Sequence, residues 1–197
     1  FRNSDYSYEI LAVKNKGKGP HSAIMTGISY CKAEAIVFFP ADDVLNTKLL
    51  DQMYQKYLLG NEVVVASRFI RGGSLKGGPL LKSTLTWIAS LSLYYLSSLP
   101  VKDATNGFRL FSRNYINSVL IESTTGFTYS LELLVKAHRL NLSISELPAR
   151  WEERKHGKSR FRVSAWIFNY IKWYLYGLAT FWLGKGPKTV KLRYQNQ

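Results

Sequence analysis

The sequence predicts an α/β fold in which a mostly parallel sheet is flanked by helices. Short apolar runs typical of buried strands alternate with longer segments whose apolar residues recur at helical spacing. The clearest strand is residues 35–39, an apolar run that Pro40 ends, and residues 63–66 form a second one. With 197 residues and a hydrophobic share of 46%, the chain can bury one substantial core.

Charge and cysteine content narrow the functional classes. Lys and Arg number 27 against 13 Asp and Glu, and the net charge of +14 indicates an anionic partner such as nucleic acid, a membrane surface or a phosphorylated substrate. We do not expect nucleic acid, because the basic residues cluster at loops and beside an aromatic helix without a nucleic-acid-binding motif. The single cysteine, Cys31, excludes an intramolecular disulfide and a cysteine-based zinc site.

The first half of the chain predicts strands separated by helices. In order, the predicted elements are a strand at 9–13, a glycine-rich basic loop at 14–20, a helix ending near Cys31, the strand at 35–39, a helix between Asn46 and Gly60, and the strand at 63–66. Asn46 is the expected cap of the second helix. The basic loop and the residues after 39 are expected at the carboxyl edge of the sheet, where ligands bind in open α/β folds.

Two carboxylates, Asp42 and Asp43, follow the strand at 35–39. Carboxylate oxygens combined with phosphate oxygens suit a hard divalent cation such as Mg²⁺ or Mn²⁺. Because successive residues of an extended chain point in opposite directions, we expect only one of the pair to be a ligand, and we favour Asp42. Asp43 is explained equally well as a residue that starts the following helix.

Basic and glycine residues near the same edge are candidates for phosphate binding. The loop at 14–20 can hold phosphate at a helix N-terminus, although glycines among lysines are also ordinary turn chemistry. Arg68 follows the strand at 63–66 and is a candidate for binding an anion, with a surface ion pair as the alternative.

The second half continues the alternation. The predicted elements are a helix at 80–99, a polar turn at 103–109, a short helix near Tyr115, a helix carrying Glu132, a strand at 142–147 and a dense basic loop at 150–160. Within the polar turn, we expect Asp103 to pair with Arg109. Residues 80–99 reach the length of about 20 that a membrane span needs. Their serines and threonines favour a buried or membrane-facing helix instead.

Residues 163–184 predict an amphipathic, membrane-associated helix. They carry one charge, Lys172, and many aromatic residues, and Trp and Tyr concentrate at the headgroup level of bilayers. Lys172 disfavours a span, so we prefer a helix in the interface over a span, and a helix buried in a soluble oligomer comes third. A membrane-protein partner or a homo-oligomer is a further expectation. A narrow polar stripe, formed by Asn169, Lys172, Tyr176 and Thr180, leaves a broad apolar face. The tail cations Lys185, Lys188, Lys191 and Arg193 are expected to meet anionic headgroups.

In this order the motifs resemble the family 2 glycosyltransferases of GT-A fold, and among them the polyprenyl-phosphate sugar transferases such as dolichol-phosphate mannose synthases. The matching segments are 15–19 with Gly27, 41–42, 66–69, 103–109, 126–127 with Glu132, and 154–160. The resemblance implies a catalytic domain at 1–162, followed by the aromatic helix and basic tail at 163–197. Pro40 replaces the first of two carboxylates usual in the family. The strand that holds the nucleotide base is expected upstream, so we expect this domain to be N-terminally incomplete.

The resemblance further implies sugar transfer, with inversion, from a nucleotide-sugar donor to a dolichyl or undecaprenyl phosphate at the cytoplasmic face of a membrane. Donor binding would fall to Asn15, Gly17, Lys18, Asp42 and Asp43, with the metal on Asp42. The residues that would bind the acceptor phosphate are Arg68, Lys82, Arg154, Ser159 and Arg160. The residues that would take part in catalysis are Asp42, Arg68 and Arg154. No catalytic base is assigned, because a phosphomonoester with a second pKa of about 6 is already largely ionised at neutral pH.

Two other interpretations stay open. A related enzyme of cell-surface polysaccharide synthesis would transfer sugar to a saccharide or protein hydroxyl and would need a carboxylate base, for which Glu132 and Asp103 are the candidates. A non-catalytic protein that binds membrane surfaces is the second alternative, suggested by Pro40 and the missing start.

Overall fold

The computed structural model describes residues 13–77, 79–152 and 163–193. The helices are α1 (Gly19–Tyr30), α2 (Leu49–Leu58), α3 (Leu80–Ser97), α4 (Arg113–Ser118), α5 (Thr128–Arg139) and α6 (Val163–Trp182). The strands are β1 (Ala35–Phe38), β2 (Val63–Ser67), β3 (Ser74–Lys76), β4 (Arg109–Ser112), β5 (Ile144–Pro148) and β6 (Arg150–Glu152), and Pro187–Thr189 form a 3-10 turn. Of the strand predicted at 9–13, all but Val13 lies outside the described residues.

The described strands form two sheets, and the larger one confirms the predicted α/β class. Its order is β1-β4-β2-β5, in which β2 and β5 are parallel while β4 is antiparallel to both β1 and β2. Three of these four strands therefore run in one direction, as expected for a mostly parallel sheet, and β4 is inserted against them. The smaller sheet pairs β3 with β6 in parallel.

Strand β2 is apolar throughout because both of its faces are covered. Val63 and Val65 belong to the core that α5 and α6 complete, whereas Val64 and Ala66 pack in a second cluster with Met53 of α2. Alternate side chains of a strand point to opposite faces, so helices on both sides bury every residue. The five β2 residues are all buried.

Helix α5 is the central helix of the molecule, and α6 packs against it and against α3. Gly177 of α6 permits this approach, since a Cβ there would lie 2.9 Å from Leu93 Cδ2 and 3.1 Å from Val135 Cγ1. Trp173 of α6 is buried in the same core as α5. Among the described helices, none combines the length and apolar character needed to cross a bilayer.

Two cations of the basic tail contact the domain. Lys191 Nζ pairs with the Glu122 carboxylate at 2.9 Å, and Arg193 Nε donates to the Val119 carbonyl at 3.1 Å. These two cations therefore contact the domain itself, and the expected contact of the tail with headgroups stays a prediction. Lys185 and Lys188 are exposed.

Candidate active site

The residues after β1 form a turn that Asp43 organises. Its Oδ1 accepts the backbone N–H groups of Leu45 and Asn46, each at 3.1 Å, and its Oδ2 accepts Asn46 Nδ2 at 2.7 Å. Asp43 therefore organises the turn that precedes α2 and does not cap the helix itself, whose N-cap position is Lys48. The predicted contact of Asp43 with the sugar donor stays a prediction.

Asn46 fastens this turn to the start of β6. Its Nδ2 donates to the Arg150 carbonyl at 2.7 Å, and its Oδ1 accepts the Arg150 N–H at 3.0 Å. The prediction that Asn46 caps α2 was wrong, because the N-cap position is Lys48. The Asn46 side chain instead pairs with backbone 104 residues away. The acidic turn and the start of β6 thus lie side by side.

Asp42 projects from the same turn and is exposed. Within the described parts of the chain, no three His, Cys, Asp or Glu side chains converge as a metal site would require. Magnesium is often bound through one or two carboxylates together with substrate phosphates. A single exposed carboxylate therefore fits a Mg²⁺ or Mn²⁺ ion that arrives with a diphosphate, and it does not fit a site closed by protein groups alone.

The basic loop before α1 is built on Asn15. Asn15 Oδ1 accepts the Gly17 N–H at 3.2 Å and the Ser22 hydroxyl at 2.9 Å, which folds the loop back onto the first turn of α1. A Cβ at Gly17 would collide with Ser22 Oγ, so a larger residue here would displace the Ser22 hydroxyl. Lys18 is the N-cap of α1, and no side chain caps the helix there. Asn15 therefore shapes the loop, while Gly17 and Lys18 are exposed for a ligand.

At the end of β2, Arg68 forms an ion pair with Asp103. Its Nε donates to Asp103 Oδ2 at 2.7 Å and its Nη2 to Oδ1 at 2.9 Å, and Thr105 Oγ1 accepts a further bond from Nη2 at 2.8 Å. The Arg68 side chain is 11% exposed and that of Asp103 is 0% exposed. Burial raises the pKa of Asp103, but the hydrogen bonds and charge of Arg68 outweigh it, so the net pKa is lowered.

The predicted pairing of Asp103 with Arg109 was therefore wrong. The buried Arg109 guanidinium donates to the Ala104 carbonyl at 2.6 Å and to the Ser130 carbonyl, which ties the turn after Asp103 to α5. Burial lowers the pKa of Arg109 to about 10. β4 places Arg109 in the core, where it holds the turn after Asp103 from its buried side.

Asn106, which was not among the predicted site residues, also belongs to this edge. Asn106 Nδ2 donates to the Ala66 carbonyl at 2.7 Å, and its Oδ1 accepts the Phe108 N–H at 3.1 Å. Asp103 Oδ1 in turn accepts the N–H of Asn106 at 3.1 Å. The spacing Asp-x-x-Asn within a turn-rich segment is the signal that could have indicated it.

The two candidate bases for a hydroxyl acceptor are both buried. Glu132 accepts the backbone N–H groups of Glu122 at 2.6 Å and Ser123 at 2.7 Å, and it pairs with Lys136 Nζ at 2.7 Å. Asp103 is likewise occupied by Arg68. Neither carboxylate is available to take a proton from a substrate in this arrangement.

The other predicted acceptor residues are not placed in detail. Lys82 lies in the first turn of α3, and its side chain is not among those described. Arg154, Ser159 and Arg160 lie outside the described residues, in the segment that follows β6.

The chain matches known proteins over most of its length. Residues 4–120 match the family described as glycosyl transferase family 2. An undecaprenyl-phosphate mannosyltransferase of Micrococcus luteus is 25% identical over 128 residues, or 62% of this chain and 51% of that protein. A dolichyl-phosphate beta-glucosyltransferase of Trichomonas vaginalis is 29% identical over 147 residues, or 71% of this chain and 44% of that protein. The chain thus spans about half the length of these relatives.

Solved structures show the same fold. Glucosyl-3-phosphoglycerate synthase from Mycobacterium tuberculosis bound to uridine diphosphate has a TM-score of 0.56 at 19% identity, covering 85% of this chain and 57% of that one. Its complex with Mn²⁺, UDP-glucose and phosphoglyceric acid has a TM-score of 0.53 at 19% identity, covering 83% and 55%. The GT-A architecture is therefore confirmed. Because the family match covers more than half of its residues, the chain belongs to glycosyltransferase family 2.

Proposed function

We propose that this chain is the catalytic part of an enzyme that transfers a sugar from a nucleotide-sugar donor to a polyprenyl phosphate at a membrane surface. Relatives named undecaprenyl-phosphate mannosyltransferase and polyprenol monophosphomannose synthase support the acceptor class. The observation that carries the proposal is the burial of both candidate bases, Asp103 and Glu132, at 0% side-chain exposure. A hydroxyl acceptor needs such a base, whereas an ionised phosphate does not.

The donor is proposed to bind between the acidic turn and the basic loop. Asp42 would hold Mg²⁺ or Mn²⁺ against the donor diphosphate, and Gly17 and Lys18 would contact its phosphates at the start of α1. The ion would supply charge neutralisation for the nucleoside diphosphate that leaves. The backbone N–H groups at the start of α1 add a favourable dipole for the same anion.

The acceptor phosphate is proposed to bind at Arg68, with Lys82, Arg154, Ser159 and Arg160 contributing. Asp103 and Thr105 engage Nε and Nη2 of Arg68, so the plane of the guanidinium is fixed before the acceptor arrives. A phosphate oxygen would attack the anomeric carbon from the side opposite the diphosphate, which leaves with the bonding electron pair. The configuration at that carbon is therefore expected to invert, and positioning supplies most of the catalysis.

Incubation of the full chain with radiolabelled sugar nucleotides, Mn²⁺ and membranes tests this proposal. We expect label in the organic phase as a lipid-linked sugar, and none when Mn²⁺ is chelated or when Asp42→Ala replaces the wild type. Label that enters only polymer or protein would support the hydroxyl-acceptor alternative. A chain that binds membranes without any transfer, with every donor supplied, would support the non-catalytic alternative.

A further inference from the structure

Helix α6 turns its hydrogen-bonding groups toward the protein. Asn169 Nδ2 donates to Thr125 Oγ1 at 2.7 Å, Trp173 Nε1 donates to Ser123 Oγ at 2.9 Å, and Thr180 Oγ1 accepts from Arg139 Nε at 3.0 Å. Tyr174 shares a 2.8 Å hydrogen bond with Ser92 of α3. The polar stripe of this helix therefore packs on the domain, with Lys172 as its exposed member.

The opposite side of α6 is apolar and exposed. Phe168 is 81% exposed, Leu175 is 56% exposed and Trp182 is 65% exposed, and Ile171 lies on the same side. A helix on the surface of a water-soluble domain shows the reverse polarity, with polar residues outward and apolar residues inward. The inverted arrangement indicates that the outward side of α6 meets an apolar medium.

Helix α3 extends the same surface. Its exposed residues are almost entirely apolar, and Leu85, Ile88 and Leu96 are prominent among them. Leu96 of α3 lines a shallow groove together with Leu175, Leu178, Ala179, Trp182 and Leu183. The two helices are packed directly against each other, so their exposed apolar residues form one continuous patch, larger than scattered surface apolar residues would give.

We propose that α3 and α6 together form a face that lies in the interfacial region of a lipid bilayer. The described α3 and α6 carry no Asp or Glu, Lys172 of α6 is exposed, and the exposed Lys185 and Lys188 follow α6 in the chain. Such a face complements anionic headgroups around an acyl-chain layer, whereas two copies of it would bring like charges together. Aromatic side chains, including Tyr95 and Trp182, suit the same depth.

The face also relates to the candidate site. Helix α3 begins at Leu80, shortly after β3, and β3 pairs with β6 beside the acidic turn. A bilayer under α3 and α6 would therefore present a phosphate-bearing lipid near this edge. The inference places the proposed reaction at the bilayer, but membrane docking does not depend on that reaction.

Flotation of the full chain with vesicles tests the inference. Vesicles of phosphatidylcholine mixed with phosphatidylglycerol serve as the probe. The variants are Phe168→Glu with Leu175→Glu on α6, and Leu85→Glu with Ile88→Glu on α3. The control is Leu58→Glu with Leu59→Glu at the end of α2, where both leucines are as exposed as those of the face but lie elsewhere. Circular dichroism confirms that each variant is folded.

We expect each pair of substitutions on the face to lower vesicle partitioning by about tenfold or more, because buried carboxylates are strongly disfavoured in lipid, and the control pair to leave it unchanged. Unchanged partitioning of the α6 pair or of the α3 pair would overturn the two-helix face. So would a lipid-free dimer, measured by light scattering, that the same substitutions dissociate. A chain that binds vesicles but transfers no sugar would contradict the proposed function and leave this inference standing.

Discussion

Asp42 and Asp43 are neighbours in the chain, yet their surroundings differ. The Asp43 carboxylate is used by its own turn through Leu45 and Asn46, whereas Asp42 is exposed at the edge of the sheet. Asp43 shapes the turn, and Asp42 is the proposed metal ligand. This division separates stability from binding and can be tested with two matched substitutions.

We expect Asp42→Ala to abolish most Mn²⁺-dependent donor binding while leaving the free energy of unfolding nearly unchanged. Asp43→Ala should cost about 1–3 kcal/mol of unfolding free energy, because Asn46 donors lose their acceptor. Isothermal calorimetry with donor and Mn²⁺, together with urea unfolding, measures both quantities. Unchanged donor affinity in Asp42→Ala would refute the metal role of this residue.

Asp103 is a positioning residue for Arg68. Its two carboxylate oxygens accept from Nε and Nη2, along one edge of the guanidinium, and Oδ2 also accepts the Arg68 backbone N–H at 2.9 Å. The adjacent loop is fitted closely to this pair, since a Cβ at Gly73 would lie 2.5 Å from the Ser67 carbonyl oxygen. Gly73 therefore allows this loop to pack closely against the end of β2.

We expect Asp103→Asn to destabilise the fold by about 3 kcal/mol, because Arg68 is left mostly buried without its counter-charge. The KM for the polyprenyl phosphate should rise more than the KM for the donor, since Arg68 is proposed to contact the acceptor. Asp51→Asn, an exposed carboxylate on α2, is the control and should change neither quantity. Equal increases in both KM values would contradict the positioning role.

At the scale of elements, α5 depends on a buried ionic cluster. Lys136 Nζ donates to Glu132, to Glu122 at 2.9 Å and to the Leu120 carbonyl at 2.6 Å, and it lies 4.9 Å from the centroid of the Trp173 ring. The cluster links α5 to the segment before it and to α6. All of its polar contacts are internal, which is typical of a structural ion pair.

We expect Glu132→Gln to lower the free energy of unfolding by about 3 kcal/mol, because a fully buried Lys136 loses its main counter-charge. The turnover number per folded molecule should change little, since Glu132 is not proposed to contact substrate. Glu122→Gln, at the partly exposed rim of the cluster, should cost less. A large loss of turnover with unchanged stability would instead identify Glu132 as a base.

At the scale of the whole molecule, the three helices α3, α5 and α6 are held by neighbouring side chains at the end of α5. His138 bonds the Ser97 carbonyl of α3 at 3.0 Å, while Arg139 binds Thr180 of α6. Burial lowers the pKa of His138, with the charge of Arg139 acting in the same direction and the bond to Ser97 opposing it. The folded state therefore favours the neutral ring.

Because the unfolded chain takes up this proton near pH 6.5 and the folded chain does so at lower pH, we expect stability to fall as the pH drops from about 7.5 to about 5.5. His138→Gln keeps a donor for Ser97 and cannot titrate in this range, so its stability should depend less on pH. Urea unfolding at several pH values gives both slopes. Equal slopes, or a wild type that gains stability on acidification, would contradict this assignment.

The local features of this protein followed from its sequence. The apolar runs predicted β1 and β2, and helical periodicity predicted α2, α5 and α6. These predictions were possible because burial of one or two faces of an element gives its apolar residues a periodic spacing, which a short stretch of sequence is enough to show. The same pattern placed Asp42 at a strand end. These conclusions involve only residues that are neighbours in the chain.

The tertiary structure decided which distant groups meet. Sequence analysis paired Asp103 with the nearby Arg109, but the insertion of β4 between β1 and β2 carries Arg109 into the core and leaves Asp103 to Arg68. The tertiary structure also brings Asn46 to Arg150, and it turns the polar side of α6 toward the rest of the domain. A side chain's periodic position shows that it lies on one face of a helix or strand, but the packing of the other elements determines what that face contacts.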